Sequence, residues 1–211
     1  VLTLVIVQLL GIPVANFNLL KPILGGGFKP ILRGAFAAFS FPFAETVVFI
    51  GILFSLKKQK SYYKVYSLGI LFSRIIIVIL TMRNTMLLGG LAGNIYFPSH
   101  VAVGIIKIGE FIERIEVSVS VLFVFGVFIK TSVCLLVACR GISSICCLND
   151  YRSIVMQTGL LMVYFSHILY SNTMEMRFWA FKVYDYYAFP FQVIIPILLL
   201  LAAEIKARSK R

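Results

Sequence analysis

Charge is what this 211-residue chain has least of: Asp, Glu, Lys and Arg together make up 13% of it, about half their usual share in a soluble domain. That scarcity, set against 60% hydrophobic residues, excludes an ordinary water-soluble globule. Histidine is nearly missing. His100 and His167 lie in different segments without metal-ligand spacing, and no acid, base and nucleophile fall together on one side of the chain, so neither a metal site nor an enzyme is expected. Cys134, Cys139, Cys146 and Cys147 have no histidine beside them and match no zinc pattern. They are expected as free thiols, and no cofactor is called for.

Other signals are incomplete in the same way. The triple glycine Gly25 to Gly27 has no strand before it and no lysine in register after it, so it reads as a flexible connection rather than a phosphate cradle. Lys and Arg outnumber Asp and Glu by 20 to 8, yet the basic residues are scattered at the ends of apolar runs and form no nucleic-acid surface. There is no initiator methionine, and the apolar run Val1 to Ala15 lacks the basic leader and cleavage site of a signal peptide. It is expected to be the remainder of a helix, with the chain a fragment of something longer.

What the chain does have is long apolar runs, at about 34–56, 66–82, 117–139, 154–171 and 188–205, and a span needs roughly 20 such residues. The expected fold is an all-α membrane protein, a helical bundle forming a single transmembrane domain over 1–211. Lys57, Lys58, Lys60 and Lys64 crowd one short connection, Arg140 and Arg152 flank another, and Lys206, Arg208, Lys210 and Arg211 close the chain. The positive-inside rule puts these segments, and both termini, in the cytoplasm.

The outer segments then carry two patterns. In FPSHVAVGIIKIGEFIERIEV, Val101, Ile105, Ile108, Ile112 and Ile115 recur at helical spacing while Glu110, Glu113 and Arg114 are polar, which predicts an amphipathic helix at the membrane surface. Its carboxylates fit a solvated face or, alternatively, the lining of a gate. The stretch 172–190 reads as an outer loop whose Trp179, Tyr184, Tyr186 and Tyr187 form an interfacial aromatic belt.

Inside the runs lie Glu45, Arg74, Lys130 and His167. A charge at the bilayer centre costs about 2.5–3.5 kcal/mol even on the lenient scale, so such groups usually face a polar interior and mark substrate or ion routes. Glu45, Lys130 and Arg74 are the candidates for an ion or proton pathway; His167 fits hydrogen bonding between helices. In AFSFPFAETVVF, residues 38–49, Pro42 also removes a backbone donor, so the helix should kink or break near Phe39 to Phe41. Carbonyls freed there are tolerated only where protein or a wet cavity covers them. Phe39, Phe41, Pro42 and Glu45 are therefore the candidate substrate-binding residues.

FPFAETVVF, FIERIEV and FGVFIKTSVCL, in this order and with a basic tail at the end, resemble the spore germination permeases, the integral-membrane subunits of germinant receptors in endospore-forming bacteria. That family is similar to the amino acid–polyamine–organocation transporters, with ten helices in two inverted repeats. The resemblance implies that this chain corresponds to about helix five to helix ten, that AFSFPFAE matches the broken sixth helix of the germinant pocket, and that 98–116 matches the outer gating helix. It puts Lys130 on helix eight, which faces the ion site in relatives. Ala44 stands where many members have glycine, and the broken first helix, the other half of the pocket, is not in this chain. The resemblance further implies a place in the inner spore membrane, partner receptor subunits, and a small nutrient, an amino acid, as ligand. A proton- or ion-coupled amino acid transporter and a non-functional truncated remnant are the alternatives.

Overall fold

In hydrocarbon every backbone N–H and C=O has to be satisfied within the protein, and an apolar run does this as a helix. The computed structural model describes residues 7–9, 11–21, 25–53, 62–106 and 116–208. Its principal elements are α1 (Phe28–Leu53), α2 (Tyr62–Leu88), α3 (Pro98–Gly104), α4 (Glu116–Ile145), α5 (Val155–Ile168) and α6 (Thr173–Arg208), and the described residues contain no strand. The protein is an all-α membrane protein. The helical runs Phe28–Leu53, Tyr62–Gly93, Val117–Ile145 and Thr173–Arg208 are long and apolar enough to cross a bilayer. Their outer surfaces carry Phe125, Phe128, Leu199 and Leu200, all well exposed, as lipid requires and water does not tolerate over large patches.

α1, α2, α4 and α6 extend beyond the apolar runs that predict them, and α5 falls short of its own. α1 begins at Phe28, with Gly27 at φ 76° as its N-cap and Pro30 in the first turn, where the missing N–H would have had no helical partner. α2 continues past the 66–82 run to Leu88 and a 3₁₀ turn, Gly89–Gly93. The larger correction concerns 172–190, which is the first half of α6 rather than a loop. Asn172 caps it, its Oδ1 accepting from the Glu175 N–H at 2.8 Å, while the Glu175 carboxylate accepts from the Ser171 N–H at 2.9 Å, close to a reciprocal capping box. The 154–171 run is shorter than expected: α5 is 14 residues, preceded by a 3₁₀ turn, Tyr151–Ile154, that Asp150 caps through the Arg152 N–H.

The chain divides into two compact units, Val1–Gly25 with Gln59–Lys130 and Gly26–Lys58 with Thr131–Arg211. In the first, Val7, Val103, Ile106 and Val119 form a buried cluster against Leu87. Asn16 donates its N–H to the Met86 carbonyl at 3.2 Å, and Gly89 sits at φ 56° with Leu19 so close that a Cβ would lie 3.2 Å from it. A buried polar line completes this unit: Arg83 Nη2 donates to Asn84 Oδ1 and Asn84 Nδ2 to Ser99 Oγ, both at 2.9 Å.

In the second unit, α1 meets the C-terminal part of α4 at Gly51, where a Cβ would fall 2.8 Å from Val137. Arg140 reaches the same turn, Nη1 donating to the Gly51 carbonyl at 3.4 Å, and its guanidinium lies over the Tyr151 ring at 5.4 Å. The first turns of α1 pack on α6 through Phe36, whose ring lies 5.8 Å from those of Tyr186 and Phe189. The four cysteines are free thiols.

Candidate functional site

The site grows out of one residue without an N–H. Ahead of Pro42 the α-helical ladder of α1 ends at Ala38 and gives way to a π turn, Phe39–Phe43, in which Phe41 leaves helical geometry at φ −127°, ψ 121°; a 3₁₀ stretch, Ala44–Phe49, follows. The Phe41–Pro42 peptide is cis. The turn recovers part of its bonding locally. The Ala44 N–H donates to the Phe39 carbonyl, and Thr46 Oγ1 donates to the Phe43 carbonyl at 2.6 Å. The break expected near Phe39 to Phe41 is thus where the backbone opens.

α6 supplies the other side. It is itself irregular there, with π turns at Trp179–Val183 and Pro190–Ile194, and the extra residue in each wide turn re-aims the side chains that follow. From this segment Tyr184 donates its hydroxyl to Glu45 Oε1. Gln192 Nε2 donates to the Tyr184 hydroxyl at 3.2 Å, and Ser40, 1% exposed, donates to Gln192 Oε1 at 3.4 Å. These side chains form one line of donors from Ser40 through Gln192 and Tyr184 to the Glu45 carboxyl. Hydrogen bonds in such a line polarise one another in a low-dielectric setting.

Beside this line lies a cavity of about 470 Å³, within the size of small-molecule sites. Phe41 and Glu45 contribute from α1, Tyr170 from the segment between α5 and α6, and Trp179, Tyr184 and Asp185 from α6. The rings meet at angles rather than in stacks: Phe41 and Tyr184 are edge-on at 6.2 Å, Trp179 and Tyr184 tilted by 60° at 5.5 Å, and Tyr170 and Trp179 tilted by 59° at 6.0 Å. The wall is therefore aromatic faces and edges, with two carboxyls set into it.

Of the residues singled out in the sequence, Phe41 and Glu45 come together on this cavity, while Phe39 and Pro42 belong to the turn that shapes it. Arg74 on α2 and Lys130 on α4 belong to the other unit, and both are exposed on their helices, as is His167 on α5. Glu110, Glu113 and Arg114 lie outside the described residues. Sequence reasoning missed Ser40, Tyr184 and Gln192 as members of the site. Gln192 carries a signal, being a polar residue within the 188–205 run; Tyr184 reads in the sequence as one more ring of the aromatic belt.

Fold and site define the class: an all-α membrane protein with several spans, one of them opened at a proline beside an aromatic cavity. The family model described as "Spore germination protein" matches residues 1–174, and the chain belongs to that family. It is 26% identical over 194 residues to spore germination protein KB of Bacillus subtilis (strain 168), an alignment that takes in 90% of this chain and 52% of that protein. The chain thus spans about half the length of the curated relative it matches. No solved structure matches.

Proposed function

We propose that this chain is the transporter-like membrane subunit of a spore germinant receptor, which senses a small nutrient and passes the signal to partner receptor subunits in the inner spore membrane. Family membership supports the germination role. The observation that carries the sensing step is the opened turn of α1: Phe41 and Glu45, on either side of Pro42, line a cavity large enough for a small molecule. A helix interrupted inside a membrane exposes polar groups where only a ligand, a cavity or protein can satisfy them. In this reading 1–211 acts as one transmembrane domain, the equivalent of helix five onward in the family's ten-helix plan, with its basic connections and both ends in the cytoplasm. The chain does no chemistry on its ligand.

Spores carrying this gene with Glu45→Gln test the proposal. Loss of optical density on nutrient addition is expected to need at least tenfold more nutrient than in wild-type spores, with nutrient-independent germination unchanged. An identical dose response rejects a sensing role for the cavity.

A second reading, a proton-coupled amino acid transporter, draws on the donor line from Ser40 to Glu45, since linked side chains of this kind can carry a proton. Uptake of labelled amino acid into proteoliposomes under an imposed pH gradient separates transport from sensing.

A further inference from the structure

We infer that Cys146 and Cys147, in the turn between α4 and α5, form a thiol–disulfide exchange site. A small-molecule disulfide oxidises the pair to a vicinal disulfide, and closure of that ring releases the C-terminal cap of α4.

Cysteine is among the residue types most often buried, and two of the four follow that rule. Cys139 is 0% exposed and Cys134 is half-buried, both within α4. Cys146 and Cys147 do the opposite: both are exposed, and they are the first two residues after α4 ends at Ile145. Among the described residues neither side chain makes a hydrogen bond. Asn149, Asp150 and Arg152 follow them closely, so the pair lies in a polar stretch just past the bilayer-crossing run Val117–Ile145. A water-soluble reagent reaches these two thiols, whereas packing shields the other two.

The backbone supplies a second observation. Cys147 has φ 52° and is the one non-glycine residue at positive φ among the described residues; Gly27 and Gly89 hold the other such positions. α4 ends here in a Schellman turn, the Leu148 N–H donating to the Ser143 carbonyl at 2.9 Å. Glycine usually fills the left-handed position of that turn, because a Cβ there crowds the following carbonyl. Glycine would make this turn with less crowding, so the turn itself does not call for sulfur. On its far side Asp150 caps the next turn through the Arg152 N–H at 3.0 Å, and its carbonyl accepts from Ser153 Oγ at 2.9 Å. Two exposed thiols thus sit side by side on a short turn anchored at both ends.

Adjacent thiols on such a turn carry out exchange in two steps. One cysteine sulfur, giving up its proton, attacks the reagent R–S–S–R; a mixed disulfide forms, the reagent's S–S bond breaks, and the released sulfur takes the proton to become R–SH. The neighbouring cysteine sulfur then attacks the first, expelling the second R–S, which takes the second proton. Two thiols are oxidised by two electrons, and one disulfide is reduced to two thiols. Adjacent Cα atoms stand about 3.8 Å apart across a trans peptide, closer than the roughly 4.4–6.8 Å of ordinary disulfides. The ring therefore closes only as the backbone between the two residues rearranges, and the left-handed turn at Cys147 is what yields. The bond from Leu148 to Ser143 is lost with it. Redox state is thereby converted into a change in how α4 joins α5, and an exposed, strained disulfide of this kind is readily reduced again.

Trypsin cuts after Lys130, Arg140 and Arg152, so peptide 141–152 carries Cys146 and Cys147 while peptide 131–140 carries Cys134 and Cys139. The protein in nanodiscs is treated with hydroxyethyl disulfide, alkylated with iodoacetamide, digested and weighed. Peptide 141–152 is expected to lose two hydrogens, escape alkylation and regain both thiols with dithiothreitol, while 131–140 keeps two free thiols. Cys146→Ser and Cys147→Ser should each stop at the mixed disulfide, with one hydroxyethylthio group on the peptide. A wild-type 141–152 that stays reduced, or that holds a hydroxyethylthio group on each cysteine, overturns the exchange site, as does equal oxidation of 131–140.

Hydrogen exchange at the Leu148 amide reads the cap. It should be at least tenfold faster in the oxidised protein, and an unchanged rate overturns the link between the ring and α4. Cys147→Gly relieves the left-handed position and should melt above the reduced wild type with the Leu148 amide still protected. A lower melt would show that the Cys147 side chain is held for packing, and overturns the site.

Discussion

The Tyr184 hydroxyl donates to the Glu45 carboxyl across 139 positions of chain. No local pattern links the two residues, yet this contact joins the opened turn of α1 to α6 and forms one edge of the cavity. A hydrogen bond to a carboxylate contributes about 1.5–3 kcal/mol, more than one between neutral groups. Tyr184→Phe keeps the ring contacts to Phe41 and Trp179 and removes this bond together with the one that the hydroxyl accepts from Gln192. The expected outcome is a loss of roughly 1–2 kcal/mol in thermal or denaturant stability of the purified protein. A double-mutant cycle with Glu45→Gln should return a coupling energy of about 0.5–3 kcal/mol; additive losses would show that the two side chains do not act on each other.

Pro42 determines where α1 opens, and its replacement tests the opposite change. Pro42→Ala restores a backbone N–H in a position where proline within a helix costs about 3 kcal/mol. The α1 turn is expected to become more regular, raising helical stability while lowering the nutrient response. Backbone hydrogen exchange across 39–46 provides the measurement, with slower exchange in the variant. Exchange unchanged or faster would mean that neighbouring side chains, not the proline, keep the turn open.

These two residues also mark how far the sequence could be read. Pro42 and Glu45 stood out because each breaks a rule of its own surroundings, a missing donor and a charge inside an apolar run, and rules of that kind are visible one residue at a time. The existence of the spans was legible for the same reason. Tyr184 obeyed its surroundings: an aromatic among aromatics suits a membrane interface as well as a cavity wall, and only tertiary contact separates the two. Its segment reads as a loop in the sequence because aromatic and charged residues dilute the apolar signal between Thr173 and Phe189, although Asn172 and Glu175 carry a capping signature at the helix start. Gln192 could have been found by asking which polar side chains within a span need partners. That Arg74 and Lys130 lie in a different unit from Glu45 is a matter of topology, on which spacing along the chain is silent.

Gly51 offers a test of packing rather than chemistry. A Cβ there would lie 2.8 Å from Val137 Cγ1 and 3.3 Å from Cγ2, and a β-branched neighbour on a helix has little rotamer freedom with which to move away. Gly51→Ala is expected to destabilise the protein by about 1–3 kcal/mol as an overpacked contact, despite alanine's better helix propensity. Val137→Ala in the same chain should recover most of that loss, which a melt of the two single variants and the double variant would show. Failure of rescue would place the cost elsewhere, at the Arg140 bond to the Gly51 carbonyl.

The polar line in the first unit makes the strongest stability prediction. Arg83 is 6% exposed, its Nη2 bonds Asn84 Oδ1, and its Nε has no partner among the described residues. Asn84 therefore serves two neighbours at once, accepting from Arg83 and donating to Ser99. Asn84→Leu keeps the approximate volume but strands a buried guanidinium, and losing a hydrogen bond to a buried charged group costs about 1.5–3 kcal/mol. Arg83→Met removes the charge along with its need for a partner and should cost much less, since an apolar side chain of similar length leaves only Asn84 to be satisfied. The order of the two melting temperatures, Arg83→Met above Asn84→Leu, is the decisive observation. The reverse order would mean that the guanidinium contributes more through contacts of its own than through Asn84.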